Sequence, residues 1–206
     1  MQTRPYDEKD GLRIWLNRDE RATLLEAVDD PRRRIALELG LHGLRTDEIV
    51  NVQPGHVREL PDDRGQVLVV PDGKTGKRET PLSDDLARAI DYLQSAAQLR
   101  KRDDVIDVSK RSIRNWMEDA RDEIVNDVGT DIEKLGMHDL RRTWATDAYY
   151  ALAFNGVPIA EQLVLSFGGW AQTETGRTTF RENYLGPVPD HVVERATEYL
   201  FDGSKR

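Results

Sequence analysis

Apolar residues recur every three or four positions through most of the chain, a spacing typical of amphipathic helices. Residues that cap helices precede several of these stretches, Asn17, Thr46 and Ser83 among them. In the first half of the chain, helices are therefore predicted to begin at Arg18 and at Pro31, with a helical turn capped by Thr46 and a helix from Ser83 to about Arg100. In the second half, helices are predicted from Ser109 or Ser112 through Val125, after Gly136, from Pro158 to near Ser166, and from Val188 to Leu200.

The period changes to two between Val57 and Leu82, which predicts strands. The clearest strand is 66–70, rich in β-branched residues, and 57–60 is a shorter candidate. A hairpin connection at 72–76 leads into a returning strand at 77–80. The sequence thus predicts an α+β fold that is mainly α, with one small antiparallel β-sheet.

The remaining segments carry no such period. Residues 1–16 are predicted to be a polar, irregular N-terminal extension that docks through Trp15 and Leu16. Residues 173–181 are predicted to be flexible, and 167–170 to form a turn with Trp170 exposed or half-exposed. Since no shift in composition marks a boundary, we expect a single domain over residues 17–206.

The charge balance is acidic, with 38 Asp and Glu against 30 Lys and Arg and a formal net charge of −8 at pH 7. Nucleic-acid-binding proteins are usually basic, so either DNA is not the partner or the basic groups are concentrated on one face. Arginines outnumber lysines by 23 to 7. Abundant carboxylates with few lysines suggest a chain adapted to high salt, and we hold a haloarchaeal origin as a hypothesis.

Several classes of site and location are disfavoured. The chain has no cysteine, which excludes disulfides and thiolate metal sites and favours a reducing cytoplasm. Its four histidines show no metal-ligand spacing, although a magnesium site made of carboxylates remains open. No apolar run reaches the length of a membrane span, and the first residues do not resemble a signal peptide.

The stretch from Gly136 to Thr146 combines a polar and an apolar side in one predicted helix. His138 and Arg141 lie three residues apart, so they share a face near the positive N-terminal end. The neighbouring face would anchor the helix in a core through Leu140, Trp144, Ala148 and Ala151. Taken alone, the pair is either a set of phosphate-binding donors or a capping histidine beside a solvated arginine.

Two further cationic residues lie at positions from which a side chain could reach a ligand. Arg45 follows a glycine-rich bend with Glu48 three residues later, which indicates either a weak local ion pair or a guanidinium held by that carboxylate and aimed into a cleft. Lys74 lies at the tip of the predicted hairpin between two glycines. A lysine there is either solvated or able to reach a ligand on a neighbouring surface.

The order of these candidates resembles that of the tyrosine recombinases, also called phage integrases, over roughly residues 18 to 200. The Gly-Leu-Arg45-Thr-Asp-Glu48 stretch is similar to the first arginine box of the family, and Gly-Lys74-Thr-Gly to its hairpin lysine. His138-Asp-Leu-Arg141 is similar to the second box. Trp170 matches the place held by His or Trp, and Tyr184 the nucleophile. The resemblance implies the catalytic-domain fold of these DNA breaking and rejoining enzymes.

The resemblance also implies a mechanism, in which a tyrosine attacks a phosphodiester of double-stranded DNA and forms a 3′-phosphotyrosine without metal, ATP or other cofactor. Arg45 and Arg141 would clamp the non-bridging oxygens, and Glu48 would support Arg45. Lys74 would protonate the leaving 5′-oxygen, His138 would share the tyrosine proton, and the indole of Trp170 would donate to a phosphate oxygen. Members work as tetramers on DNA, so the resemblance implies a homo-oligomer on DNA here, with a monomer in isolation as the alternative.

The chain departs from the family pattern in two respects. The gap from Trp170 to Tyr184 is longer than usual, and the rival nucleophiles Tyr149 and Tyr150 lie within the helix begun by His138. The N-terminal core-binding domain of the family is expected to be absent, since 206 residues leave no room for it. Alternatives to a recombinase or integrase are a type IB topoisomerase-like relaxing enzyme and a non-catalytic DNA-binding accessory protein.

The predicted C-terminal helix at 188–200 has two candidate packing partners. In the family this helix docks onto a neighbouring subunit, which here would use the apolar positions Val192, Val193, Ala196 and Leu200. The same positions would equally allow packing on its own domain.

Overall fold

The computed structural model describes residues 1–6, 10–73 and 76–201. The described helices are α1 (Arg18–Glu26), α2 (Pro31–Gly40), α3 (Thr46–Ile49), α4 (Asp84–Ala96), α5 (Lys110–Val128), α6 (Met137–Phe154), α7 (Ala160–Gly168), α8 (Glu174–Asn183) and α9 (Asp190–Phe201). The strands are β1 (Gln2–Pro5), β2 (Leu12–Trp15), β3 (Val57–Glu59), β4 (Gln66–Val70) and β5 (Arg78–Leu82). Short 3-10 turns occur at Pro54–His56, Pro61–Asp63 and Thr130–Lys134. The predicted mainly α fold is confirmed.

Side-chain caps start several helices where the sequence predicts. Asn17 and Glu20 form a reciprocal capping box at α1, and the hydroxyls of Ser83 and Ser109 accept from the first turns of α4 and α5. The cap of α3 is Arg45 rather than Thr46, because the backbone of Arg45 is extended while Thr46 is already helical. Helix α4 ends at Ala96, short of the predicted Arg100.

Strands β3, β4 and β5 form the predicted antiparallel sheet, with β4 in the centre. Alternation along β5 buries Arg78, Thr80 and Leu82 on one face and exposes the residues between them. Arg78 therefore points into the protein from the strand that follows the hairpin connection. The predicted hairpin tip with Lys74 lies outside the described residues.

Three further sequence predictions are wrong. Residues 1–16 are not irregular, because β1 and β2 pair as an antiparallel hairpin in which Gln2 lies opposite Trp15. Residues 173–181 are not flexible but form α8, whose buried Phe180 fixes the helix to the domain. Trp170 is not exposed: it retains 7% of its accessible surface, because it packs against Trp144 and Phe180.

The core consists of two clusters that lie along α6. The larger cluster joins α1, α2, α4 and α5 to the sheet and reaches Leu140. The smaller one contains Ala145, Phe180, Trp170 and Tyr184. Helix α6 passes from one to the other, so its first turns lie where the two meet. Among the residues described, no helix is long and apolar enough to cross a membrane.

Candidate functional site

Arg45 and Arg78 share one buried carboxylate. Both oxygens of Glu48 accept from Arg78, at 2.8 Å each, and one also accepts from the Arg45 guanidinium at 2.9 Å. Burial opposes the ionisation of Glu48, but the hydrogen bonds and charges of Arg78 and Arg45 outweigh it and lower the pKa of the carboxyl. The local Arg45–Glu48 pair considered from sequence therefore exists as part of a larger buried network.

The same two arginines also donate hydrogen bonds to the turn at the end of α7. Arg78 donates through Nε to the carbonyl of Phe167 at 2.8 Å, and Arg45 donates to the carbonyl of Gly169 at 2.9 Å. Gly169 has a φ of +68°, and a Cβ there would lie 2.9 Å from the Arg78 side chain. A glycine is required because this backbone is left-handed and in close contact with an arginine. The network thus fixes the turn that leads to Trp170.

Arg141 is completely buried, in contrast to His138 three residues earlier, which is exposed. Its two terminal nitrogens donate to the carbonyls of Gly43 and Gly168, and its Nε has no hydrogen-bond partner. Burial lowers the pKa of Arg141 to about 9, with the charge of Arg45 acting in the same direction. The guanidinium therefore remains a cation at neutral pH, held among backbone carbonyls with one buried N–H left over.

Aromatic rings cover this guanidinium. The Arg141 carbon Cζ lies 4.1 Å from the Trp170 ring centroid and 5.6 Å from that of Tyr184. Tyr184 meets Trp170 edge-on at 4.6 Å, and its ring lies 5.0 Å from the imidazole of His138. Helix α8 spans the long interval after Trp170 and returns Tyr184 to this cluster.

The structure brings most of the predicted site residues into one place. Arg45, Glu48, His138, Arg141, Trp170 and Tyr184 are connected through direct contacts or through the turn at 167–169. Lys74 belongs to the same prediction but lies outside the described residues. Of the rival tyrosines, Tyr149 contacts Phe180 and Tyr150 contacts Tyr149. Among the described ring contacts, the tyrosine beside both His138 and Arg141 is Tyr184.

Sequence reasoning missed Arg78, although it lies in the stretch that suggested the hairpin lysine. Strand alternation contained the signal: Arg78 shares a side of β5 with Thr80 and Leu82, both of which are buried. A charged residue on the buried face of a strand needs an ionic partner. Glu48, the carboxylate among the predicted site residues, is that partner.

Within the described ranges, no group of three or more histidines and carboxylates is arranged to hold a metal ion. The polar groups of the site are guanidiniums, an imidazole, an indole and a phenol, beside the Glu48 carboxylate that is already bonded to Arg45 and Arg78. Such a set can bind an anion, donate hydrogen bonds to it and supply a nucleophilic oxygen next to it.

Comparison with solved structures identifies the fold. The XerA recombinase superposes with a TM-score of 0.63 at 20% identity, over 94% of this chain and 66% of that protein. The XerH site-specific recombinase bound to its difH substrate has a TM-score of 0.60 at 18% identity, and the match covers 95% of this chain and 57% of that protein. A lambda integrase dimer bound to a COC′ core site has a TM-score of 0.58 at 16% identity, and the match covers 86% of this chain and 51% of that protein. The chain thus spans about half to two thirds of the length of these proteins.

Comparison of sequences gives the family. A search of curated proteins found no significant match. The sequence model of the phage integrase family, however, matches residues 15–183. The match contains every candidate site residue from Arg45 to Trp170 and ends directly before Tyr184. Because the match covers most of the chain, this protein belongs to the phage integrase family.

Proposed function

We propose that the protein is a site-specific DNA recombinase that cleaves and rejoins double-stranded DNA through a 3′-phosphotyrosine at Tyr184. The observation that carries the proposal is the position of the Tyr184 ring, 5.0 Å from His138, 4.6 Å from Trp170 and 5.6 Å from the Arg141 guanidinium. A phenol next to an imidazole and a buried guanidinium has a proton acceptor and an anion-binding group within one site.

The proposed step is a transesterification. The Tyr184 oxygen forms a bond to phosphorus, the bond from phosphorus to the 5′-oxygen breaks, and the phenolic proton passes towards His138. Lys74 supplies a proton to the departing 5′-oxygen. Rejoining reverses the step, so the bond energy is conserved and no nucleotide cofactor is consumed.

The arginines are proposed to stabilise the negative charge that grows on the non-bridging oxygens. Arg45 is 22% exposed and accessible at the rim, whereas Arg141 lies beneath Trp170 with its Nε–H unpaired. Glu48 and Arg78 keep the Arg45 guanidinium in one orientation. Removing one such stabilising group typically slows a reaction by about 100- to 1000-fold.

The experiment that tests the proposal is capture of a covalent protein–DNA adduct. Wild-type protein is incubated with a library of nicked duplex fragments, denatured in detergent and analysed for DNA-linked protein. We expect an adduct that is absent in Tyr184→Phe and retained in Tyr92→Phe, which changes an exposed tyrosine of α4. An adduct that survives Tyr184→Phe, or no adduct with wild type on any fragment, contradicts the proposal.

Helix α9 supports a proposed assembly on DNA. Val192 is buried against its own domain, whereas Val193 and Leu200 are 48% and 69% exposed. The lambda integrase that resembles this chain has been solved as a tetramer on a Holliday junction. We expect the exposed face of α9 to contact a neighbouring subunit, so light scattering should show an increase in subunit number when DNA is added.

The acidic composition supports a further proposal, that the protein works at high salt. Carboxylates exceed basic groups by 38 to 30, and 23 of those basic groups are arginines. We expect solubility and the free energy of unfolding to rise between low and molar salt. A flat profile over that range contradicts the proposal.

A further inference from the structure

The backbone carbonyl of Tyr184 is held by two side chains from different parts of the chain. The indole Nε1 of Trp15 donates to it at 3.0 Å, and the Thr146 hydroxyl donates to it at 2.9 Å. Thr146 in turn accepts from the amide of Gly186 at 2.8 Å. Because a carbonyl oxygen has two lone pairs, the acceptor capacity of Tyr184 is filled and the backbone from 184 to 186 is fixed.

The Trp15 ring also packs directly on this backbone. Trp15 is 3% exposed, and a Cβ on Gly186 would lie 2.6 Å from its Nε1. A side chain at 186 would therefore push the indole away from the carbonyl it contacts. The glycine permits the close approach on which the hydrogen bond depends.

The strand that carries Trp15 is fastened to the helix that carries the other site residues. The amide of Ile14 donates to Asp139 at 3.2 Å, and the amide of Leu16 donates to Thr143 at 3.0 Å. On the other side of Trp15, Arg13 donates to the side chain of Asn183 at 3.3 Å. Strand β2 therefore connects the first turns of α6, which hold His138 and Arg141, with the end of α8.

We infer that the N-terminal hairpin positions the proposed nucleophile, with Trp15 as the positioning residue that sets the place of Tyr184 relative to His138. This inference rests on the proposed function. Tyr184 follows the last turn of α8, where a helix end is least constrained by its own hydrogen bonds. Trp15 and Thr146 supply this constraint by donating to the Tyr184 carbonyl, and Trp15 links it to the N-terminal hairpin. A displacement of about 1 Å at a reacting group can cost on the order of 100-fold in rate.

The test replaces Trp15 by phenylalanine, which keeps a buried ring and removes the N–H. Trp116→Phe is the control, since Trp116 is a partly buried tryptophan that packs against the larger core cluster rather than against Tyr184. In the free protein, we expect Trp15→Phe to weaken the nuclear Overhauser contact between the His138 and Tyr184 rings. We also expect about three- to tenfold faster hydrogen exchange at the Gly186 amide, as loss of one hydrogen bond implies.

With DNA fragments captured by the wild type, Trp15→Phe should slow adduct formation by about tenfold at saturating DNA, without changing the DNA concentration for half-saturation. Trp116→Phe should stay within about twofold of wild type in every measurement. Thr146→Val and Thr146→Ser form a second pair, in which only the valine variant loses the hydroxyl and should behave like Trp15→Phe.

Either of two results overturns the inference. In the first, Trp15→Phe shows the same His138–Tyr184 ring contact and the same Gly186 hydrogen exchange as Trp116→Phe. In the second, Trp15→Phe displaces Tyr184 but still forms the adduct at the wild-type rate. Failure of the proposed function gives a different result. In that case the adduct persists in Tyr184→Phe or never forms, while the measurements on the free protein still decide whether Trp15 holds Tyr184.

Discussion

Replacing Arg78 by glutamine should destabilise the protein and disorganise the candidate site together. The side chains of Arg78 and Glu48 are 6% and 5% exposed, and two hydrogen bonds of 2.8 Å join them. Glutamine is too short and has too few donors to reproduce this fork. The substitution therefore leaves a buried carboxylate with only Arg45 as its partner.

The expected loss can be worked from these contacts. Removing one partner of a buried ion pair costs about 3–5 kcal/mol, and two hydrogen bonds to a charged group give a similar figure. Glu48 keeps its contacts to the Arg45 guanidinium and backbone amide, at 2.9 and 2.8 Å, so the lower end applies. A loss of about 3 kcal/mol lowers the melting temperature of a domain of this size by about 10 °C.

Urea unfolding monitored by tryptophan fluorescence measures the effect, with Arg58→Gln as control. Arg58 also pairs with a glutamate across the sheet, Glu79, at 2.6 Å, but the two side chains are 45% and 42% exposed. The control should lose less than about 1 kcal/mol. An Arg78→Gln loss as small as that of the control refutes the reasoning, because it would mean that burial does not strengthen the pair.

A double variant separates stability from site organisation. Arg78→Met with Glu48→Leu replaces the buried pair by apolar groups, which is often neutral or stabilising. We expect most of the stability to return while adduct formation stays low, because Arg45 has lost the carboxylate that orients it. Recovery of both stability and adduct formation in the double variant would show that the network serves stability alone.

Four further outcomes follow from individual residues. The pKa of Glu48 is lowered in the folded protein, so its contribution to stability is present above the ordinary glutamate pKa and is lost as the pH falls through the lowered value. The free energy of unfolding should therefore fall less steeply with decreasing pH in Glu48→Gln than in the wild type. Gly43→Ala should cost at least about 2 kcal/mol in denaturant melts, since its Cβ would lie 2.5 Å from Trp144 at a φ of +86°. Gly156→Ala, with φ +74° and open space, should cost about 1 kcal/mol. Phe180→Ala empties a fully buried position and should cost about 3–5 kcal/mol by calorimetry.

Helix starts and the main sheet could be predicted because their signals are local. Asn17, Ser83 and Ser109 each satisfy amides within three residues, so a short window of sequence contains the whole interaction. Strand β4 likewise shows its β-branched composition in five consecutive residues. These elements need no knowledge of the rest of the chain.

The elements that sequence reasoning missed depend on distant partners. Helix α8 has a single buried residue, Phe180, so no apolar period identifies it, and its position is set by contacts with Trp170 and Tyr149. Trp170 is buried for the same reason. Hairpin β1–β2 is held to α6 through residues more than 120 positions away, such as Asp139 and Thr143. No local pattern contains such contacts.

Most residues of the candidate site could be named from the sequence, with Arg78 as the exception, but their burial could not. Its residue types and their order pointed to an anion-binding site with a tyrosine beside it. Arg141 looked like a helix-surface donor from spacing alone, but it is completely buried because the carbonyls of Gly43 and Gly168 converge on it. That convergence depends on two separate loops and is visible only in three dimensions.

Burial also reconciles an acidic chain with the proposed phosphate-binding site. Arg45 and Arg78 bond the carboxylate of Glu48, and Arg141 bonds the carbonyl of Gly168 in the turn that Arg45 and Arg78 also contact. Three guanidiniums and one carboxylate leave two positive charges in this network, within a protein of net charge −8. In the proposed mechanism these charges face a phosphodiester that gains negative charge in the transition state. Salt screens exposed charges that lie further apart than about 10 Å at 0.1 M and about 3 Å at 1 M, but it acts far less on buried charges. High salt would therefore weaken general attraction to DNA while leaving the field at the scissile phosphate largely intact.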